Sequence, residues 1–484
     1  MHDSDPEGLR LPVKLDTACN GEFFPIALDP LSRETNLTAQ RRATDYARRL
    51  GKSRRAYLKS HAGAASFLAT MNETFAAAGK VGGHYAVPQD ASFDDDAALS
   101  VLGGAEFIFD VHLHHMNPHG AWRTEAPRWE ASARRFSIEK GNVDYDPVHC
   151  LDANHLLKEV FFDSDTTCAV LSAVPAAPHN PLEVEEAAAT RSLVEMVTGS
   201  RLLIHGMALP NYPGNIEAMG AVQADYDVAA WKTYTQWGPD GQGFWLDDEE
   251  TGIRFIEKVR EFGVKRIAVH KGVPIGEMGS DHGSCRDIGI VARRYPDVDF
   301  LVYHAGYEPL IAEEAYREDL ERGVNTLVRT LRENGIGPGE NVYADLGTTW
   351  RFVMRDPDQA AHVLGKLLLA VGEDNILWGT DSIWYGSPQD QIQAFRAFEI
   401  SQEFQERFGY PALTPLRKRK IFGLNGAHVY GLDPAQVSKN VDADALGRAK
   451  AAYLERRDPS FLTYGPKTRQ EFEQFLMLNG GAPG

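Results

Sequence analysis

The sequence predicts a TIM-like (β/α)8 barrel, preceded by a helical extension and followed by a helical tail. Three observations carry that expectation. The 484 residues suit one large barrel with additions at both ends. Eight short β-branched or aromatic runs alternate with segments of helical apolar spacing. No glycine-rich phosphate loop follows the first run, which removes the usual support for an open dinucleotide-binding sheet.

Taken in order, residues 1–35 are rich in Pro, Asp and turn formers, and Ala39–Leu50 reads as a basic helix. Ser53-Arg54-Arg55-Ala56-Tyr57-Leu58-Lys59 resembles a twin-arginine export motif, with Tyr57 where Phe is usual. The stretch behind it, residues 60–78, is interrupted by His61, Asn72 and Glu73. We therefore read it as an amphipathic helix that buries Leu58, Phe67, Leu68, Met71 and Phe75, and expect a cytoplasmic protein, with export as the alternative. The acidic stretch Gln89–Leu99 reads as a loop, so residues 1–103 are assigned to the extension.

The barrel is assigned to residues 104–432. Its predicted strands are Glu106–His114, Cys168–Val174, Arg201–Leu209, Val228–Thr235, Arg266–Lys271, Phe300–Tyr307, Val342–Gly347 and Ile376–Asp381. Between the fourth and fifth, Ile253, Ile256, Val259 and Phe262 recur at helical spacing. Residues 425–432 (NGAHVYGL) read as the last barrel helix, and residues 433–484 as a polar helical tail.

Bulk properties exclude several classes of function. A formal charge of −18 argues against a nucleic-acid surface, which needs clustered Lys and Arg. No run of 18 apolar residues is present to span a membrane as a helix. Cys19, Cys150, Cys168 and Cys285 form no C-x-x-C pair and are expected to be buried, reduced thiols. A small-molecule substrate and a homo-oligomer are the expected partners.

The chemistry concentrates at strand ends. His112 and His114 are two apart, so strand alternation points both imidazoles to one side. His270, His304 and Asp381 end the fifth, sixth and eighth runs, at the mouth where barrel active sites lie. Imidazoles and a carboxylate converging there suit a divalent ion, Zn2+ or alternatively Mn2+ or Fe2+. His115 faces away from His114 and is read as structural, as is His205, whereas His282 lies on a loop where it could meet substrate. Trp122, Trp231, Tyr234, Trp237, Trp350, Trp384 and Tyr385 are expected around the same mouth, suiting a planar or apolar substrate.

The motifs FDVHLHH, AVHKG, YHAGYE, WGTDSIWYG and IFGLNGAHVYGL, in this order over residues 105–432, resemble the second amidohydrolase-related family. That family includes aminocarboxymuconate semialdehyde decarboxylase, resorcylate decarboxylases and several lactone hydrolases. The resemblance implies that His112, His114, His270 and Asp381 ligate one metal ion. It also implies that His304 handles the proton of the activated water, with Asp381 sharing that work. Lys232 lies where binuclear members of the wider superfamily carry a bridging lysine; pointing inward it would bridge metals or bind substrate, and pointing outward it would be solvated. Lys232, Lys271, Tyr307 and Trp384 are the candidate substrate contacts, with Arg351 a further cation.

Two reactions fit these ligands. In hydrolysis, the activated water attacks an amide, lactone or related carbonyl. In non-oxidative decarboxylation, Asp381 protonates carbon as carbon dioxide leaves. We expect a hydrolase, with decarboxylase as the alternative. A barrel kept only for binding or assembly is a third reading, and the intact ligand set argues against it.

Overall fold

A computed structural model of the chain describes residues 10–16, 25–125, 147–175, 179–198, 201–274, 280–441, 445–459, 461 and 468–471. Its strands are β1 (Gly83–Tyr85), β2 (Phe109–Leu113), β3 (Cys168–Leu171), β4 (Leu202–Met207), β5 (Ala230–Tyr234), β6 (Arg266–His270), β7 (Asp299–Tyr303), β8 (Val342–Asp345), β9 (Ile376–Leu377) and β10 (Phe398–Ile400). Seven of the eight predicted runs contain one of β2–β9, and the sixth overlaps β7, which starts one residue earlier at Asp299. These eight pair in chain order, all in parallel. The sheet then closes on itself: Val111 N–H donates to the Trp378 carbonyl at 3.0 Å and Asp381 N–H to the His112 carbonyl at 2.9 Å. Because β9 is only two residues long, a side chain reinforces the closure. Buried Asp110 accepts from the Thr380 N–H at 3.1 Å and from the Thr380 hydroxyl.

Alternation sorts the strand side chains as a barrel requires. Ile267, Val269, Phe300 and Val302 join the large apolar cluster shared with the outer helices. Ala268, Leu301 and Tyr303 join a second cluster completed by Ala427, Val429 and Tyr430 of the helix Asn425–Tyr430. The amphipathic helix Gly252–Glu261 buries Ile253, Ile256 and Val259, as its spacing predicts.

The extension packs onto the barrel. It contributes α1 (Pro30–Arg49), α2 (Arg54–Leu58), α3 (His61–Ala77) and α4 (Asp95–Leu102). α1 begins nine residues before the predicted basic helix, because Asp29 caps it and Pro30 opens it. The acidic stretch expected as a loop is instead a helix start: Asp94 accepts from the Asp96 and Ala97 N–H groups, and Asp95 and Asp96 occupy the first turn. β1 pairs antiparallel with β10, tying the extension to the segment after β9.

The twin-arginine-like segment forms α2, and Leu58, Phe67, Leu68, Met71 and Phe75 are all buried. Arg55 and Lys59 pair with Asp458, while Tyr453 and Arg457 reach Asp163, so the tail packs back on its own chain. Among the described residues no helix is long and apolar enough to cross a membrane. Cys150, Cys168 and Cys285 are buried free thiols, and Cys19 lies outside the described residues.

Candidate metal centre

The C-terminal ends of β2, β6, β7, β8 and β9 converge on one buried cluster. His112 Nε2 lies 3.1 Å from His114 Nε2, and Asp381 Oδ1 lies 3.4 and 3.5 Å from these two nitrogens. Three ligand atoms at this spacing surround the space of a single ion. A second pair sits beside them: His304 Nε2 is 3.2 Å from His270 Nδ1, and the His112 and His304 rings are 4.9 Å apart. Of the expected ligands, His112, His114 and Asp381 therefore form one tight group, and His270 joins the cluster through His304.

The far side of each ring sets its tautomer. His114 Nδ1 meets the Ser172 carbonyl at 2.7 Å, His270 Nε2 the Val273 carbonyl at 2.7 Å, and His304 Nδ1 the Gly347 carbonyl at 2.8 Å. A carbonyl only accepts, so each of these nitrogens carries the hydrogen and the inward nitrogen is a bare lone pair. Burial keeps the rings neutral, pushing His114 down to about 3 and His112, His270 and His304 well below the ordinary imidazole range. The nearby Lys232 cation adds to the depression in all four. The result between His270 and His304 is two lone pairs facing each other, an arrangement that a cation stabilises.

His112 is held by a residue that sequence reasoning missed. Asp345, at the end of β8, places Oδ2 2.7 Å from His112 Nδ1 and accepts the His304 N–H at 3.3 Å. Burial pushes its carboxyl up to about 8, opposed by the Gly347 and His304 N–H groups and the Lys232 charge, and a divalent ion held by the cluster would favour the carboxylate that accepts from His112 Nδ1–H. A Cβ on Gly347 would lie 2.2 Å from His112 Nδ1, and one on Gly379 would lie 1.9 Å from Asp345 Oδ1. Glycine is thus required on both sides of this pair. The available signal was a carboxylate inside the apolar run VYADLG at the height of His304 and Asp381.

Thr348 was also missed. Its hydroxyl binds Asp381 Oδ2 and lies 3.1 Å from the Tyr385 hydroxyl, which turns Asp381 Oδ1 toward the histidines. His304, Ala305, Thr348 and Asp381 all adopt positive φ, between 51° and 64°. Four non-glycine residues in the left-handed region at the ends of three strands mark a site whose geometry the fold imposes.

Lys232 points inward. Its register partner is Ala268, two residues before His270, and its Nζ sits 3.3 Å from the centre of the Tyr303 ring. It underlies the cluster as a buried cation held partly by cation–π attraction. Trp384 stacks 5.8 Å from His114 and Tyr234 stacks 5.1 Å from His270, so both line the mouth as expected.

Other candidates are placed elsewhere. Lys271 is on the opposite side of β6 from His270, and its ammonium is 2.9 Å from Asp287, so its charge is already matched. Arg351 binds the Lys14 and Asp16 carbonyls, anchoring the N-terminal segment. Tyr307 lines a neighbouring cavity rather than the cluster. Trp231 stacks on Phe262 outside the barrel, because alternation with Lys232 turns it outward. Trp350 packs edge-on against Phe395 and Phe398 in the core, and Trp122 is fully buried. His115 donates to or accepts from Thr190 at 2.9 Å and is structural, and His205 bridges Ser172 and Tyr430 beneath the site. His282 packs on Trp245 at 4.8 Å, beside Lys271.

Fold and site together define a β/α-barrel protein with a histidine and carboxylate centre at its C-terminal mouth. A family model described as amidohydrolase matches residues 109–432, and the chain belongs to that family. No curated protein matches it. Among solved structures, 5-carboxyvanillate decarboxylase from Sphingomonas paucimobilis is 13% identical, with a TM-score of 0.40 over 68% of this chain and 100% of that one. The 2,6-dihydroxybenzoate decarboxylase from Rhizobium is 13% identical, with a TM-score of 0.39 over 68% of this chain and 99% of that one. A 5-carboxyvanillate decarboxylase from Novosphingobium aromaticivorans, solved with bound manganese, is 12% identical, with a TM-score of 0.40 over 68% of this chain and 98% of that one.

Proposed function

We propose that this protein is a divalent-metal-dependent hydrolase of a small amide, lactone or related carbonyl compound. The observation that carries the metal is the group of three ligand atoms, His112 Nε2, His114 Nε2 and Asp381 Oδ1, which lie 3.1 to 3.5 Å from one another. His112, His114, His270 and Asp381 would hold the ion, with Zn2+ favoured by the nitrogen-rich donor set. Bound there, a divalent ion supplies Lewis acidity, polarising a carbonyl and acidifying water.

The chain's own residues supply the rest. His304 is neutral, and its Nδ1–H is committed to the Gly347 carbonyl, so Nε2 can take a proton from water and return it to the leaving group. Thr348 holds one oxygen of Asp381 and leaves the other at the cluster, where it orients the same proton transfer. Trp384 and Tyr234 offer flat apolar surfaces beside His114 and His270 for a planar substrate.

Decarboxylation is the second reading, and Lys232 is the observation that favours it. A buried cation on the Tyr303 face would draw a substrate carboxylate toward the cluster; Asp381, having taken a proton from water or from the substrate's own hydroxyl, would pass it to the substrate carbon as the carbon–carbon bond breaks and carbon dioxide leaves. The test is metal analysis of the purified protein together with a screen of aryl amides, lactones and phenolic acids, each followed for both carbonyl hydrolysis and carbon dioxide release. Hydrolysis without carbon dioxide supports the first reading. Carbon dioxide release from phenolic acids replaces it with the second, and absence of stoichiometric metal overturns both.

A further inference from the structure

Lys271 and Arg351 are spent on Asp287 and on backbone carbonyls, but one helical turn after Arg351 another arginine is not. Arg355 lines a cavity of about 440 Å³ between the approach to α1, the loop after β7 and the helix Thr349–Val353. Its side chain is nine-tenths buried, and its Nε makes no hydrogen bond. The nearest carboxylate oxygen, Asp29 Oδ2, is 3.8 Å away, beyond hydrogen-bond reach. Asp29 is already engaged in capping α1, accepting from Ser32 N–H at 2.9 Å and the Ser32 hydroxyl at 2.6 Å. The other cation in the wall, Lys80, is 2.7 Å from Asp356.

A buried guanidinium without a close acceptor is costly, and a ligand carboxylate that meets its planar fork relieves the cost. Burial and the neighbouring Arg351 charge both lower Arg355 from its ordinary value, as expected of a cation short of partners. Apart from Gln359 the remaining walls are apolar, with Phe75, Tyr307, Leu310, Ile311 and Phe352 among them. The volume lies within the range of small-ligand sites, and a mixture of apolar walls with a few placed polar groups is typical of them.

We propose that this cavity binds a small organic monocarboxylate with a flat apolar body, its carboxylate on Arg355 and its body against Tyr307 and Phe352. A monoanion fits better than phosphate, because Asp29 and Asp356 stand in the same wall and repel a second negative charge. The site is separate from the histidine cluster, none of whose members line it. It adjoins that cluster through Phe352, whose ring is 6.3 Å from Tyr385, the partner of Thr348. It does not depend on the metal reading.

The test is calorimetric titration of the full chain with benzoate, benzamide and inorganic phosphate. Benzoate is expected to bind saturably below about 10 mM, and benzamide about tenfold or more weaker. Phosphate should not compete. R355Q should weaken benzoate by about tenfold or more, whereas H112A/H114A should leave it unchanged, which separates this site from the cluster. If R355Q does not fold, I311W, at the loop wall, should abolish benzoate binding by filling the space. Equal binding of benzoate and benzamide, competition by phosphate, benzoate binding that survives R355Q or I311W, or no benzoate binding at all would overturn the proposal.

Discussion

Asp345→Asn tests whether the cluster is preorganised from behind. Asp345 Oδ2 lies 2.7 Å from His112 Nδ1 and fixes the hydrogen there, leaving Nε2 bare toward His114. An asparagine has the same volume but two faces. If its carbonyl meets His112, the tautomer survives without the charge that makes the ring a stronger donor. If its NH2 meets His112, Nδ1 must accept, the hydrogen moves to Nε2, and the metal-facing lone pair is lost. Gly347 and Gly379 crowd the pair so closely that His112 cannot swing to recover. Outer carboxylates of this kind contribute roughly 10–100-fold in metal affinity, or about 1.4–2.7 kcal/mol. Zn2+ affinity, measured by competition with a chelator, should fall by that factor while circular dichroism and thermal unfolding of the metal-free protein change little. Gly347→Ala should also lower metal affinity, because its Cβ would strike the His112 ring, and unlike Asp345→Asn it should cost stability as well. An affinity within about twofold of wild type in Asp345→Asn would refute the argument.

Three other expectations follow from the same geometry. His112→Ala or Asp381→Ala should strip most bound metal, whereas His115→Ala, whose ring contacts Thr190, should retain it; elemental analysis of purified variants decides. His304→Asn should keep near-normal metal while activity falls by roughly 10²–10⁴, the contribution of a positioned acid or base, and loss of metal in step with activity would make His304 a ligand instead. The third concerns stability and pH far from the site. Burial, then Lys366 and Arg407, push His362 down to about 4, below its unfolded value near 6.5, so the neutral ring is the native one. Its stabilisation is complete above about pH 6.5 and is lost as pH falls through the window toward 4. Denaturant unfolding at pH 7.5 and 5 should show a smaller acid penalty in His362→Gln than in wild type, by about 1–2 kcal/mol after solvent screening; an equal penalty would assign the acid sensitivity elsewhere.

The barrel was legible because its signals are periodic. β-branched runs at strand spacing, and the apolar face of Gly252–Glu261, repeat often enough that each unit supports the next. The histidine positions were legible for the same reason: strand alternation and strand ends can be counted without coordinates. What stayed hidden depends on pairings across long sequence separation. Asp345 reads as one polar residue in an apolar run until β8 is set beside β7 and its oxygen meets His112 across the barrel. Thr348 has no local pattern at all, and its role exists only because its hydroxyl meets Asp381. The aromatic residues misled in the opposite direction, since Trp231 and Trp350 sit near mouth motifs in sequence yet turn into the helix layer and the core.

Cations show the same limit most clearly. Sequence alone offers Lys232, Lys271 and Arg351 as equivalent positive charges near the site, but their partners separate them. Asp287 neutralises Lys271, the Lys14 and Asp16 carbonyls occupy Arg351, and the Tyr303 ring lies against Lys232. Arg355 carries no motif, yet the fold buries it beside a cavity with its Nε unmatched. A charge becomes informative about ligands only once the carboxylates and carbonyls around it have been accounted for, and that accounting requires the fold.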